Sequence, residues 1–201
     1  MVILKLLLLR FSQSIDLRSF QLTDLSRAVS HALRHEPWLY ELELDDEGWA
    51  PVEDLLFALR QEREDWNHLA KQDLTLMLKA SDKQRHEIQG DKIRALYGHS
   101  IAGKLKRTPA SPPDILFHGT NPDVVPQIKA KGLLPMNRQY VHLSVDTATA
   151  IAVGKRKSKT PVILHVLSHD AATEGVHFFK GNERVWLADK IPPKFIVFGE
   201  Q

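Results

Sequence analysis

The residues of this sequence best suited to chemistry are a few arginines and histidines at the ends of predicted elements. Arg34 and His35 close a first helix. Arg94 lies on a predicted strand shortly before Gly98-His99-Ser100. His118-Gly119-Thr120 directly follows another predicted strand, and Arg138 precedes a strand that carries His142 and ends at Ser144. Alone, each has an ordinary meaning. Cations at a helix C-terminus complement its dipole. His118 could be a turn residue beside a permissive glycine, and Arg138 a solvated loop charge. His142 alternates with Val141 and Leu143, as a satisfied histidine on the opposite face would. Together they make better sense as an anion site. Planar guanidinium groups grip phosphate oxygens in pairs through charge-assisted bonds. A phosphate monoester carries about −1.5 to −2 charge near neutrality. Arg34, Arg94 and Arg138, with His35, therefore suit a dianionic phosphate better than a single phosphodiester, provided the fold brings all four to one cavity between two lobes. The basic stretches Lys104-Leu105-Lys106-Arg107 and Lys155-Arg156-Lys157-Ser158-Lys159 are either solvated loops or a track for a nucleic-acid backbone.

Other chemistries are poorly provided for. The chain has no cysteine, which excludes disulfides, thiolate zinc sites, iron–sulfur clusters and a Cys nucleophile. His31 and His35 have the spacing of a chelating pair on a helix, but no HExxH frame or thiolate accompanies them, and no metal is expected. A GxSxG elbow is missing, as is the GxGxxG turn of a Rossmann nucleotide site. With 201 residues, 43% hydrophobic and 26% charged, the composition is that of a globular protein. The balance of 27 Lys+Arg against 25 Asp+Glu permits an anionic partner without demanding one. The opening MVILKLLLL falls short of the ~20 apolar residues that span a bilayer, and no small-residue cleavage site follows it. Residues 1–20 read as an N-terminal extension. No membrane partner is expected, and a cytoplasmic location suits a cysteine-free chain.

The elements that must position these residues form an α+β pattern in two lobes. In the first, 21–108, Thr23 is the expected N-cap of a helix whose inward face is Leu25, Val29, Ala32 and Leu33. Pro37 forces its end near 34–36. Leu42 and Leu44 alternate with Glu41 and Glu43 like a half-buried strand. Val52, Leu55, Leu56 and Leu59 mark a second helix, and Leu74, Met77 and Leu78 a third. Two alternating runs around Gly90-Asp91 spell a hairpin, so this lobe is expected to be winged-helix-like. Three prolines and a basic run in 104–113 read as a stiff linker, with the break at 109–113. The second lobe, 114–201, shows six short strands near 115–117, 141–143, 161–167, 176–179, 184–187 and 195–198. One helix is expected over 122–131, stopped by Gly132, and another from the N-cap Asp146 to about 153. This predicts a mostly antiparallel sheet.

From Leu22 to the end the chain resembles the RNA 2′-phosphotransferases. Four stretches carry the resemblance: LSRAVSHALRHEPW from Leu25, followed by LDDEGW from Leu44; IRALYGHS from Ile93; LFHGT from Leu116; and RQYVHLS from Arg138. The resemblance implies a winged-helix-like RNA lobe and an NAD-binding lobe of the ADP-ribosyltransferase type. It places the family's catalytic Arg-His-Arg-Arg on Arg34, His35, Arg94 and Arg138. It places NAD⁺ binding on His118, Gly119, Thr120, His142 and Ser144, and RNA binding on His99, Ser100 and Arg156. The implied reaction moves an internal RNA 2′-phosphate to NAD⁺, yielding 2′-OH RNA, nicotinamide and ADP-ribose 1″,2″-cyclic phosphate. NAD⁺ is then a co-substrate, the partner a tRNA-like RNA bearing an internal 2′-phosphate, and the protein is expected to act as a monomer without metal.

The sequence also departs from its relatives. Tyr97 stands where the family usually has Gln, and Lys157-Ser158 where many members have His-Gly. ADP-ribosyltransferases at large carry a Glu on a late strand. The matching Val185-Trp186-Leu187 is apolar here, as in the phosphotransferase branch, which suits a phosphate nucleophile that is already ionised. Two rival functions remain at this stage. One is an ADP-ribosyltransferase that caps a nucleic-acid phosphate or a protein. The other is a non-catalytic winged-helix regulator that senses a nucleotide.

Overall fold

The computed structural model describes residues 21–199, so the expected extension over 1–20 lies outside the described residues. The chain divides into two compact units between Leu96 and Tyr97. Both combine helices with antiparallel sheet, an α+β architecture.

In the first unit, helical spacing of apolar residues does what the pattern requires. Helix α1, over 21–34, buries Leu25, Val29, Ala32 and Leu33. Helix α2, Val52–Glu62, buries Val52, Leu55, Leu56 and Leu59. Helix α3, Lys71–Ala80, buries Leu74 and Met77. All pack into one core with Ala50, Ile93 and Ala95 of a three-stranded sheet. The sheet runs in the order β1 (Trp49–Pro51), β3 (Lys92–Ala95), β2 (His86–Gln89). Strands β2 and β3 are the expected hairpin, joined by Gly90-Asp91.

Two local expectations give way. The chain is already helical at residue 21, so Thr23 is an exposed helix residue and not the N-cap. At an exposed position threonine's lower helix propensity costs only a few tenths of a kcal/mol. The run from Glu41 to Leu44 has the alternating burial of a strand but no strand partner. Its backbone is engaged elsewhere: the Leu42 amide bonds to the Pro37 carbonyl at 3.0 Å, and the Asp45 amide to the Trp49 carbonyl at 2.9 Å. Alternation reports burial, whereas a strand also needs a ladder partner. That partner forms five residues later, where Trp49–Pro51 pairs with β3.

The second unit is built on a six-stranded, wholly antiparallel sheet. Its order is β7 (Phe178–Lys180), β8 (Val185–Ala188), β5 (Val141–Ser144), β4 (Ile115–Thr120), β6 (Val162–Leu167), β9 (Ile196–Phe198). Leu116, Leu143, Leu164, Val166, Phe178 and Ile191 lie at the centre of its core. Helix α4, Val125–Lys131, follows a 3₁₀ turn and stops at Gly132, whose φ of 77° ends the helix. Helix α5, Thr147–Gly154, begins at Asp146, whose side chain accepts from the Thr149 amide at 2.6 Å. A short helix α6, Ser168–Thr173, had no sequence signal. The stretch over 104–113 belongs to this second unit. Leu105 is buried, and the Ala110 amide bonds to the Phe178 carbonyl at 2.8 Å.

Candidate functional site

The first unit carries three of the four residues read as a phosphate grip. Arg34 is the last residue of α1, and its Nε donates to the Ser30 carbonyl one turn back at 3.3 Å. His35 follows in the turn, its amide bonded to the His31 carbonyl at 3.0 Å. Both side chains are half-buried. Both ring nitrogens of His31 have protein partners. Its Nε2 lies 3.0 Å from a Glu36 carboxylate oxygen and its Nδ1 3.2 Å from the Tyr40 hydroxyl. Burial, with Glu62 and Glu36 nearby, pushes that Tyr40 hydroxyl up to about 12.

Arg94 sits at the centre of the sheet, opposite Trp49 on one side and Glu87 on the other. Its Nε donates to Glu87 Oε1 at 2.6 Å and its Nη1 to Glu47 Oε2 at 3.2 Å, with the guanidinium 4.3 Å from the Trp49 ring centroid. Glu47 and Trp49 lie in the LDDEGW stretch, but none of the three is read from the sequence as a partner of Arg94. For Glu87 a signal existed: the two-residue turn at Gly90-Asp91 sets Gln89 against Lys92 and therefore Glu87 against Arg94. For Trp49 there was none, because its strand had been expected earlier in the chain. His86 was missed as well. It is buried, 3.1 Å from the Ser30 hydroxyl, and burial beside the Arg34 charge pushes it down to about 3. It is therefore a neutral imidazole beneath the end of α1.

The second unit carries Arg138 and the residues read as nucleotide-binding. Gly98, with φ 92°, turns the chain into His99 and Ser100, a conformation that glycine adopts at little cost. Arg138 Nη1 donates to the Gly98 carbonyl, and the Gln139 amide to the His99 carbonyl at 3.2 Å. Gln139 continues the seam. Its side-chain nitrogen bonds the Gly103 carbonyl at 2.6 Å, and its oxygen accepts from the Leu105 amide at 3.2 Å. The Tyr140 hydroxyl closes it on the Leu105 carbonyl at 2.9 Å. The segment 98–105 is thus stitched to 138–140. His99 is buried, and Ser100 and Arg138 are exposed.

His118-Gly119-Thr120 does not follow strand β4 but forms its last three residues, paired with Leu164, Ile163 and Val162. The ladder continues because Gly119 here keeps ordinary strand geometry; what it lacks is a Cβ. A Cβ at Gly119 would lie 2.0 Å from the Ala150 carbonyl oxygen, so glycine is what lets α5 lie directly on β4. His118 Nδ1 donates to the His142 carbonyl at 2.9 Å, and His142 Nδ1 to the Tyr140 carbonyl at 3.0 Å. A carbonyl only accepts, so each Nδ1 carries the proton. Burial pushes both imidazoles down, His142 to about 4 with help from the Arg138 charge. Both are neutral near pH 7, with Nε2 left as an acceptor. Such groups fit sugar hydroxyls better than they fit phosphate. Ser144 is buried between Phe117 and Val185 of the adjacent strands, and Tyr97 lies edge-on to His142 with centroids 6.1 Å apart. Arg156 is exposed just beyond α5.

Comparison with known proteins gives this arrangement a context. Residues 21–190 match the family model described as RNA 2′-phosphotransferase, Tpt1/KptA family. A protein of Bacillus thuringiensis subsp. konkukian, named probable RNA 2′-phosphotransferase, is 53% identical over 178 residues, covering 89% of this chain and 96% of its own. One of the same name from Acetivibrio thermocellus is 51% identical over 176 residues, covering 88% and 96%. Another, from Acaryochloris marina, is 38% identical over 179 residues.

Proposed function

Since the chain belongs to the RNA 2′-phosphotransferase family of the Tpt1/KptA type, we propose that it removes an internal RNA 2′-phosphate by transferring it to NAD⁺. In this reading the first unit is a winged-helix-like RNA lobe. Three helices leading into the β2–β3 hairpin support that. The second is an ADP-ribosyltransferase-like NAD⁺ lobe, with the six-stranded sheet as its support. The observation that carries the proposal is the Arg138–Gly98 bond. It ties the Arg-Gln-Tyr motif to the Gly-His-Ser motif, and Gly98 follows Arg94 in sequence by four residues.

The chemistry runs in two steps. NAD⁺ supplies an electrophilic C1″ with nicotinamide as its leaving group. An oxygen of the RNA 2′-phosphate, already ionised, forms the bond to C1″ as the C1″–nitrogen bond breaks. The ribose O2″ then attacks phosphorus, the P–O2′ bond breaks, and the RNA 2′-oxygen takes up a proton. In the first step His118 and His142 present neutral Nε2 acceptors to ribose hydroxyls, beside Gly119, Thr120 and Ser144. In the second, Arg34, Arg94 and Arg138 stabilise charge on the phosphoryl oxygens, while His35 moves the proton from O2″ to the departing O2′. Exposed Ser100 and Arg156 contact the RNA, and buried His99 supports them from the turn after Gly98. Holding both substrates in line contributes about 7–11 kcal/mol towards the barrier. The scheme requires no metal, because the nucleophile is an anion and the arginines offset the developing charge.

The test uses an RNA with one internal, labelled 2′-phosphate and NAD⁺. Release of ADP-ribose 1″,2″-cyclic phosphate and nicotinamide is the expected outcome. Untouched NAD⁺ would refute the proposal. ADP-ribose left attached to the RNA would identify a capping transferase instead.

A further inference from the structure

Arg94 is gripped on three sides within the first unit. Glu87 takes its Nε at 2.6 Å, Glu47 takes its Nη1 at 3.2 Å, and the Trp49 ring lies against its face at 4.3 Å. The two carboxylates are not equivalent. Glu87 is the cross-strand neighbour of Arg94, and its side chain is 33% exposed. Glu47 hangs from the turn before β1 and is 60% exposed. Stacking on Trp49 leaves a guanidinium free to rotate in its own plane; a short, charge-assisted bond to a strand-borne carboxylate removes that freedom. Two carboxylates on one cation also leave a net negative charge where an anionic substrate is to bind. An arriving phosphate must replace one of them. The exposed, turn-borne Glu47 on the outer nitrogen is the one placed to leave.

We propose that Glu87 is a positioning residue that aims Arg94 at the substrate 2′-phosphate, and that Glu47 occupies the outer edge of the guanidinium until phosphate replaces it. This rests on the phosphotransferase reading above. Glu87 acts only through Arg94, so its loss has a signature that a merely structural residue lacks.

The experiment follows the full chain with NAD⁺ and 2′-phosphorylated RNA, comparing wild type, E87Q, R94A, the E87Q/R94A double variant and E47Q, with thermal unfolding of each recorded. E87Q is expected to slow the second step about ten- to hundredfold, with ADP-ribosylated RNA accumulating. In the R94A background the same change is expected to have no further effect. E47Q, an exposed substitution that leaves the core untouched, is expected to lower KM for the RNA about threefold. Turnover by E87Q equal to wild type, or an equal loss in the R94A background, would overturn the positioning role. A raised KM in E47Q would overturn the exchange. If wild type turns over and E87Q keeps pace, only this inference fails. If wild type leaves both substrates untouched, the phosphotransferase reading fails and this role goes with it.

Discussion

Arg94 in the first unit and Arg138, His118 and His142 in the second are held by opposite means. In the first, Arg94 is fixed by other side chains: two carboxylates and an indole. In the second, Arg138, His118 and His142 are fixed by backbone carbonyls, those of Gly98, His142 and Tyr140. Side-chain partners add charge to a site and can be exchanged for substrate groups. Backbone partners add no net charge and hold a tautomer as well as a direction. Exchangeable partners suit Arg94, which is proposed to meet the phosphate. Carbonyl partners hold His118 and His142 as neutral acceptors, and bring no counter-charge to Arg138, which is proposed to meet the same phosphate. The contrast also holds below the surface. His86 and His142 are both neutral because of burial, but only His142 lies among the residues proposed to bind NAD⁺.

Four sets of substitutions would break or sharpen this contrast. The largest effect is expected for G119V. The new side chain meets the Ala150 carbonyl, backbone that cannot swing aside, and α5 must leave the sheet. A loss of at least ~3 kcal/mol is expected, read as a steep fall in the unfolding temperature of the second unit with the first little changed.

Next come the arginines. R94A and R138A should each lower phosphate transfer about 10²–10³-fold without unfolding the chain. R138A and H35A should slow the second step more than the first, so that ADP-ribosylated RNA accumulates on a gel. Unreacted RNA alone in both would argue against that division of labour.

A smaller effect concerns acid. His86 is held down to about 3 in the folded state against 6.5 when exposed. Below pH 6.5 the unfolded chain takes up a proton that the folded chain refuses. Stability contributed by the neutral imidazole is therefore complete above that pH and declines as pH falls towards 3. The slope is at most ~1.4 kcal/mol per pH unit. H86F should flatten the acid limb of the first unit in denaturant titrations at pH 7 and pH 5. H142Q should do the same for the second unit, and should also weaken NAD⁺ binding.

The smallest effect expected is that of D146A. It removes the cap that holds the Thr149 amide at 2.6 Å and the Thr149 hydroxyl at 2.9 Å, at about 1 kcal/mol. NAD⁺ affinity should hardly move, because α5 remains anchored by its contact with Gly119.

Much of this architecture is legible in the chain itself. The inward faces of α1, α2 and α3, the hairpin at Gly90-Asp91, the six strands of the second unit and the N-cap at Asp146 all follow from local rules. They are legible because burial and backbone preference repeat over a few residues. The failures share a cause. Leu42 and Leu44 alternate but find no ladder partner, and Thr23 can cap a helix but stands inside one that is already running. His118-Gly119-Thr120 resembles a turn but ends a strand, because its glycine answers a helix that lies across it. The proline-rich stretch over 104–113 resembles a free linker, yet Gln139, Tyr140 and Phe178 hold it to the second unit.

By itself, the order of residues determined which side chains are available for phosphate chemistry, which family the chain resembles, and the type of nearly every element. Tertiary structure alone decided the partners: Glu87 and Trp49 about Arg94, the Gly98 carbonyl for Arg138, and the carbonyls that aim His118 and His142, whose burial keeps them neutral. The physical reason is range. Propensity and periodicity act over a few neighbours along the chain, whereas a hydrogen bond or a close packing contact depends on which distant segments the fold brings within about 3 Å.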